Sequence, residues 1–174
     1  METVTQLEIE QAISKASREV FETMLNLPLE VMPSVMHSVI EPETFHGVVA
    51  LVGVAGSWTG TGHISCTPQF AQKLAGALLM TEYHSVDEEV LDAVAEVANM
   101  IVGNVKTIFE EKLGPLGLTV PTVIFGRNYR TRSAGVKDWV LVRLRSGDES
   151  MDINFCLMPS RAPHHMHRPE LITA

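Results

Sequence analysis

Cysteine, positive charge and long apolar runs are all scarce in this sequence, and each scarcity excludes something. Its 174 residues hold two cysteines, too few for a disulfide framework. Cys66 and Cys156 each lie in an apolar, strand-like run. Both read first as buried free thiols, with a disulfide or redox role as the alternative. Thirteen Lys and Arg against 21 Asp and Glu leave a net charge of −8, which argues against a nucleic-acid ligand because that would need a basic patch or stripe. The acidity suits a partner that presents positive charge. No stretch approaches the roughly 18 consecutive apolar residues of a transmembrane helix, so no membrane span is expected. The opening METVTQLEIEQ is acidic and polar, without the basic segment and apolar core of a signal peptide. Cytoplasmic location is therefore the default expectation.

Familiar catalytic patterns are missing too. The Gly-rich GVAGSWTGTG lacks the Gly-Lys-Ser/Thr ending of a phosphate-binding loop and reads as a hairpin. There is neither a His-Glu-x-x-His zinc motif nor a Gly-x-Ser-x-Gly nucleophile elbow. Four residues separate Cys156 from Arg161, one too few for the loop of a cysteine phosphatase to curl around a phosphate. His164, His165 and His167 could bind a metal adventitiously, but a tail is not a preorganised site. No metal or cofactor is assigned to the chain.

What is present is an ordinary globular composition, 45% apolar and 20% charged, at a length suited to one domain or to two very small halves sharing a core. A first helix is predicted from about Leu7 to Asn26, with Ile9, Ile13, Ala16, Val20 and Met24 on one buried stripe. Strands follow in VMPSVMHSVI (Val31 to Ile40), HGVVALVGV and TGHISCTP. Thr67 and Pro68 form an N-cap and first-position pair for a short helix through about Met80. Ser85, with Glu88 at capping-box spacing, opens a long helix to about Lys112 that GPLG stops. Strands return in LTVPTVIFG, DWVLVRLRSG and SMDINFCLMP, and 161–174 reads as a surface tail.

The second pass repeats the first. Pro33 can be laid on Pro121, Cys66 on Cys156, and Met24 on Met100, which puts Val20 opposite Glu96 and Thr23 opposite Asn99. The expected fold is α+β: one domain over 1–160, built from degenerate half-repeats at about 7–80 and 81–160. Each half is a helix plus three mostly antiparallel strands, with the long helices packed on the sheet.

The long helix poses a question. At about 100° per residue, Val90, Leu91, Val94, Val97, Ala98, Ile101, Val102, Val105, Ile108 and Phe109 form an apolar face. Asp92, Glu96, Asn99, Met100, Gly103, Lys106 and Thr107 lie opposite. Glu96, Asn99 and Gly103 make an i, i+3, i+7 line. One reading is a solvated face with nothing to do. The other is a docking surface: Asn99 has no capping role mid-helix, Gly103 lets another backbone approach, and Met100 offers an adaptable apolar contact.

Asp92-x3-Glu96-x2-Asn99, with Pro121 after the helix, resembles the signature of the CheC/CheX/FliY phosphatases of bacterial chemotaxis. EVANMIVGNVKTIF and GLTVPTVI are most similar to the CheX branch, and the resemblance spans about residues 7 to 160. The 21 residues between Asn99 and Pro121 are one fewer than the family pattern. CheC-type members carry one site per half; here only the second half keeps both residues. The resemblance implies a homodimer through the sheet. It also implies a protein phosphatase that hydrolyses the aspartyl phosphate of a CheY-like response regulator, the receiver supplying the acyl phosphate, a Mg²⁺ and a lysine. Asn99 would orient the attacking water and Glu96 would pair with that lysine as the second catalytic residue, with Asp92 in support. Met100, Gly103 and Lys106 would meet the partner. The competing implication is a non-catalytic receiver-binding or flagellar-switch adaptor.

Overall fold

The structure, a computed structural model, describes residues 3–37, 45–129 and 138–160. The tail at 161–174, with its three histidines, and the end of the first predicted strand lie outside the described residues.

Helix α1, Gln6–Val20, starts from a reciprocal cap: Thr5 Oγ1 accepts from the Glu8 N–H, and Glu8 Oε2 accepts from the Thr5 N–H. A π-helical turn, Phe21–Leu25, extends it to Asn26, which ends it in the left-handed region at φ 48°. That turn corrects one expectation. Met24 is 52% exposed, while Phe21 and Leu25 are buried. The wider π-turn carries an extra residue, so the stripe passes from Val20 and Phe21 to Leu25.

Helix α2, Pro68–Leu79, is capped by Thr67, whose hydroxyl accepts from the Phe70 N–H at 3.1 Å. The long helix α3, Glu88–Leu113, is capped by Asp87, which accepts from the Val90 N–H at 3.0 Å, and not by Ser85. A carboxylate at this place both accepts the bond and meets the positive end of the helix dipole, which a hydroxyl two residues earlier does not. Gly114, at φ 79°, ends α3.

The strands are β1 (Glu30–Val31), β2 (Val35–His37), β3 (Phe45–Gly56), β4 (Trp58–Cys66), β5 (Leu116–Leu118), β6 (Thr122–Tyr129), β7 (Trp139–Ser146) and β8 (Glu149–Pro159). They form one sheet in the order β1-β7-β8-β4-β3-β5, with β2 also on β7 and β6 also on β3. All pairings are antiparallel. LTVPTVIFG is not one strand: Thr119–Pro121 separates β5 from β6, since proline has no N–H to continue the ladder.

The register contains an internal two-fold. Laying Cys66 on Cys156 lays His63 on Ile153 and Ile64 on Asn154. In the sheet His63 faces Asn154 and Ile64 faces Ile153, so exchanging the halves returns the same pairs. Laying Pro33 on Pro121 lays Val35 on Val123 and Glu30 on Leu118. Val35 pairs with Leu141 and Glu30 with Arg145 on β7; Val123 pairs with Ala50 and Leu118 with Val54 on β3. Each half thus lends its short outer strands to the other.

Residues pointing to the helical face of the sheet, among them Val48, Ala50, Val52, Ile64, Val142, Ile153 and Phe155, join the buried faces of the three helices in one hydrophobic cluster. Gly62 lets α3 settle on the middle of this face: a Cβ there would lie 2.5 Å from Val102 Cγ2. Successive residues alternate sides, so His63 and Ser65 are buried on the far side of the sheet. Among the described residues no helix is long and apolar enough to cross a membrane.

Candidate functional site

The buried face of α3 comprises Val90, Ala93, Val94, Val97, Ala98, Ile101, Val102, Val105, Phe109 and Leu113. Fully burying an aliphatic side chain of this size contributes roughly 1.5–3 kcal/mol. An interior glycine costs only about 1 kcal/mol in propensity relative to alanine, and asparagine less. Packing therefore holds α3, and its outer face is free to carry poor helix formers.

On that outer face Asp92 and Glu96 are exposed, while Asn99, Met100 and Gly103 are half-buried. The side chains of Asp92, Glu96 and Asn99 have no hydrogen-bond or ion-pair partner among the described residues. A carboxylate and a carboxamide one turn apart thus point outward from a rigid helix, uncommitted. A Cβ added at Gly103 would sit 3.6 Å from Leu118 Cδ1, ordinary van der Waals contact. The fold itself does not require glycine there.

Two expected contact residues are placed differently from the spacing. Met100 packs against the edge of the core, because a thioether beside an apolar cluster gains more by contact than by exposure. Lys106 does not face outward as a free ammonium. Its Nζ donates to Glu110 Oε2 at 2.6 Å and to the Leu116 carbonyl at 3.3 Å. Glu110 Oε1 in turn accepts from the Leu116 N–H at 2.9 Å. Lys106, followed by that backbone bond, lowers the Glu110 pKa below its ordinary value. The i, i+4 spacing of Lys106 and Glu110 was a readable signal for the pair; the strand it straps down was not.

The matching of the two helices also needs correction. α1 with its π-turn ends at Leu25 before β1, and α3 ends at Leu113 before β5. The alignment that fits the outer strands, Pro33 on Pro121, therefore runs back through the helices and lays buried Ile13, Phe21 and Leu25 on buried Ile101, Phe109 and Leu113. Met24 falls on Lys112, not Met100. Glu96 has Glu8, not Val20, at the matching place, and Asn99 has Gln11, not Thr23. A shared Met-Leu and Met-Ile pairing ignores where the helices join their strands.

Glu8 is fully engaged. One oxygen accepts from Lys112 Nζ at 2.6 Å; the other accepts from Thr5 N at 2.7 Å and Thr5 Oγ1 at 2.9 Å. The Lys112 bond, then those from Thr5, hold its carboxyl down at about 2. The first half thus has a neutralised carboxylate and a longer amide where the second has Glu96 and Asn99.

Other reactive groups are quiet. Burial raises Cys66 to about 12 and Cys156 to about 11, so neither thiol is a nucleophile near neutrality. Among the described residues no cluster of three or more His, Cys, Asp or Glu side chains is placed to hold a metal ion.

Residues 48–144 match the family described as chemotaxis phosphatase CheX. The CheY-P phosphatase CheX of Thermotoga maritima is 30% identical over 119 residues, which cover 67% of this chain and 77% of that protein. Among solved structures, chemotaxis protein CheX of Vibrio vulnificus superposes with a TM-score of 0.74 at 23% identity, covering 87% of this chain and 99% of that one. The CheX of Borrelia burgdorferi, solved in a CheX-CheY-BeF3-Mg²⁺ complex, superposes with a TM-score of 0.71 at 25% identity, covering 84% and 96%. With the family match spanning more than half of its length, an α+β duplicated fold of the same kind and the motif on α3, the chain belongs to the CheX family of chemotaxis phosphatases.

Proposed function

We propose that this protein hydrolyses the aspartyl phosphate of a phosphorylated CheY-like receiver domain in cytoplasmic chemotaxis signalling, with Glu96 and Asn99 as its catalytic pair. The observation that carries this reading is the uncommitted state of both side chains, one turn apart on a helix fixed by its buried face. The CheY-P phosphatase named for the Thermotoga relative and the receiver complex of the Borrelia relative support the choice of substrate.

Phosphoryl transfer to water is mostly positioning and charge stabilisation, so two side chains can suffice. Water attacks phosphorus, the bond from phosphorus to the aspartyl oxygen breaks, and inorganic phosphate and a free carboxylate leave. The Asn99 carboxamide accepts a hydrogen bond from the attacking water and can donate one to the phosphoryl group, because an amide does both. Glu96 pairs with a lysine of the receiver and fixes the docked geometry; Asp92, a turn earlier, adds negative charge to that approach. Mg²⁺ belongs to the receiver in this scheme. The open surface at Gly103 takes the partner's backbone.

We further read the protein as a homodimer through its sheet. The eight-residue outer strand β6 pairs only with β3 among the described strands and carries Phe125 at 45% exposure, and an edge of this kind invites a second strand. Light scattering on the purified protein tests this.

The enzymatic reading is tested with a ³²P-labelled receiver: phosphate release should be accelerated by the wild type and not by Asn99→Ala. Tight binding without acceleration would instead identify a receiver-binding adaptor.

A further inference from the structure

We propose that Val120 is an apolar anchor for the receiver that docks on α3, contributing affinity for the partner rather than to the chemical step. This rests on the function proposed above. Val120 is 87% exposed, yet the backbone on both sides of it is fixed. The Thr119 N–H donates to the Gly53 carbonyl at 2.9 Å, and Thr119 Oγ1 accepts from the Gly53 N–H at 2.8 Å. Glycine at 53 makes this seat possible, since a Cβ there would lie 2.9 Å from Thr119 Cγ2. On the other side the Pro121 ring restricts its own φ and disfavours helical geometry at Val120. A hydrophobic side chain held in place before binding loses little freedom when a partner covers it.

The segment is also tied to the docking helix. Lys106 and Glu110 clasp Leu116 through its carbonyl and its N–H. Leu118 Cδ1 lies 3.6 Å from the position of a Cβ on Gly103, one turn beyond Asn99. The strand that leads into Val120 is thus pinned to the turn that follows the proposed reactive amide. A body seated over Asn99 and Gly103 meets this segment next. Lys106 acts as a positioning residue here, through the strand.

The internal two-fold supplies an independent comparison. Thr119, Val120 and Pro121 fall on Val31, Met32 and Pro33. Val31 packs against the core and Met32 is half-buried, and no side-chain hydroxyl is available at Val31 to clamp the backbone. The exposed, clamped aliphatic residue therefore occurs in the half that carries Glu96 and Asn99. This favours the receiver over a second copy of the chain as its occupant.

The test is dephosphorylation of a labelled receiver over a range of its concentration, with wild type, Val120→Ser, Val120→Ile and Asn99→Ala, beside thermal unfolding and light scattering of each. Val120→Ser should raise KM about tenfold with kcat and Tm nearly unchanged, and Val120→Ile should stay close to wild type. An unchanged KM in Val120→Ser would overturn the anchor while Asn99→Ala still stops turnover and the phosphatase reading stands. Loss of a dimer in Val120→Ser would overturn it in favour of a second copy. If the wild type releases no phosphate, the phosphatase reading itself fails; a binding titration of wild type against Val120→Ser then decides the anchor, which predicts about tenfold weaker binding and is overturned by equal affinities.

Discussion

Glu8 and Lys112 meet at 2.6 Å between α1 and α3, at the place the internal two-fold assigns to Glu96 and Met24. One carboxylate position is therefore closed by a lysine from within, and its counterpart is left open. No lysine stands at the position matching Lys112, and Glu96 has no ion-pair partner among the described residues, so its charge stays available for a lysine brought by a partner. The asymmetry of the two halves lies in whether each carboxylate is paired as much as in the motif itself.

The two motif residues should fail in different ways. Asn99→Ala should lower kcat by roughly 10²–10³, the usual loss for one well-placed polar group at a reacting centre, with affinity for the receiver largely kept. Glu96→Ala should weaken binding by about tenfold and reduce its salt dependence, as expected for a docking charge. Steady-state kinetics with a parallel titration at two ionic strengths separates the roles, and the reverse pattern would reject them.

Gly103→Ala should help the fold and harm the function. The added methyl meets only Leu118 Cδ1 at ordinary contact distance, and replacing an interior helix glycine gains about 1 kcal/mol, a rise of roughly 2–4 °C in Tm for a chain of this size. Receiver affinity should fall because the methyl stands where the partner's backbone approaches. Stabilisation with unchanged binding would show that the glycine has no part in docking.

Glu8 predicts an acid response tied to Lys112. Its carboxyl is held at about 2, below the ordinary value of 4.5. Its contribution to stability is therefore complete above 4.5 and is lost as pH falls toward 2. Urea unfolding at stepped pH should show a shallower loss over that window in Lys112→Met than in wild type. Phosphate release at neutral pH should be unaffected by Lys112→Met, since Lys112 lies about four turns along α3 from Glu96.

His63 predicts a second response, nearer neutrality. It is 8% exposed and its Nε2 has no partner among the described residues, and burial lowers its pKa below the ordinary 6.5. Above that value both folded and unfolded chains hold it neutral. As pH falls below it, the unfolded chain takes up the proton first and stability drops. His63→Leu should abolish this part of the loss between pH 7 and the lowered folded value, read from denaturant midpoints; an identical pH profile in the variant would contradict it.

Much of the architecture was legible because local chemistry dictated it. Thr67 with Pro68, the apolar periodicity of α3 and the paired prolines and cysteines of the duplication all carry short-range physical signals. The errors arose where geometry accumulates over distance. The π-turn at Phe21–Leu25 displaced Met24 from the core, and the point where each helix enters its strand, which no short motif records, decided that Glu8 and not Val20 corresponds to Glu96. Lys106 pointed to a partner by its place on the helix face; its true acceptors, Glu110 and the Leu116 carbonyl, include a strand that only the folded chain brings near.

By itself the sequence determined the elements, their duplication and the presence of a carboxylate and an amide three residues apart on one helix face, because periodicity and capping act within a few residues. Only the tertiary structure decided which carboxylate is neutralised and which is open, since that depends on whether a cation such as Lys112 arrives from the other helix. It also left Val120 exposed just beyond the strand that Lys106 and Glu110 hold. Charge and burial are properties of the assembled neighbourhood, and no single segment of this chain contains both partners.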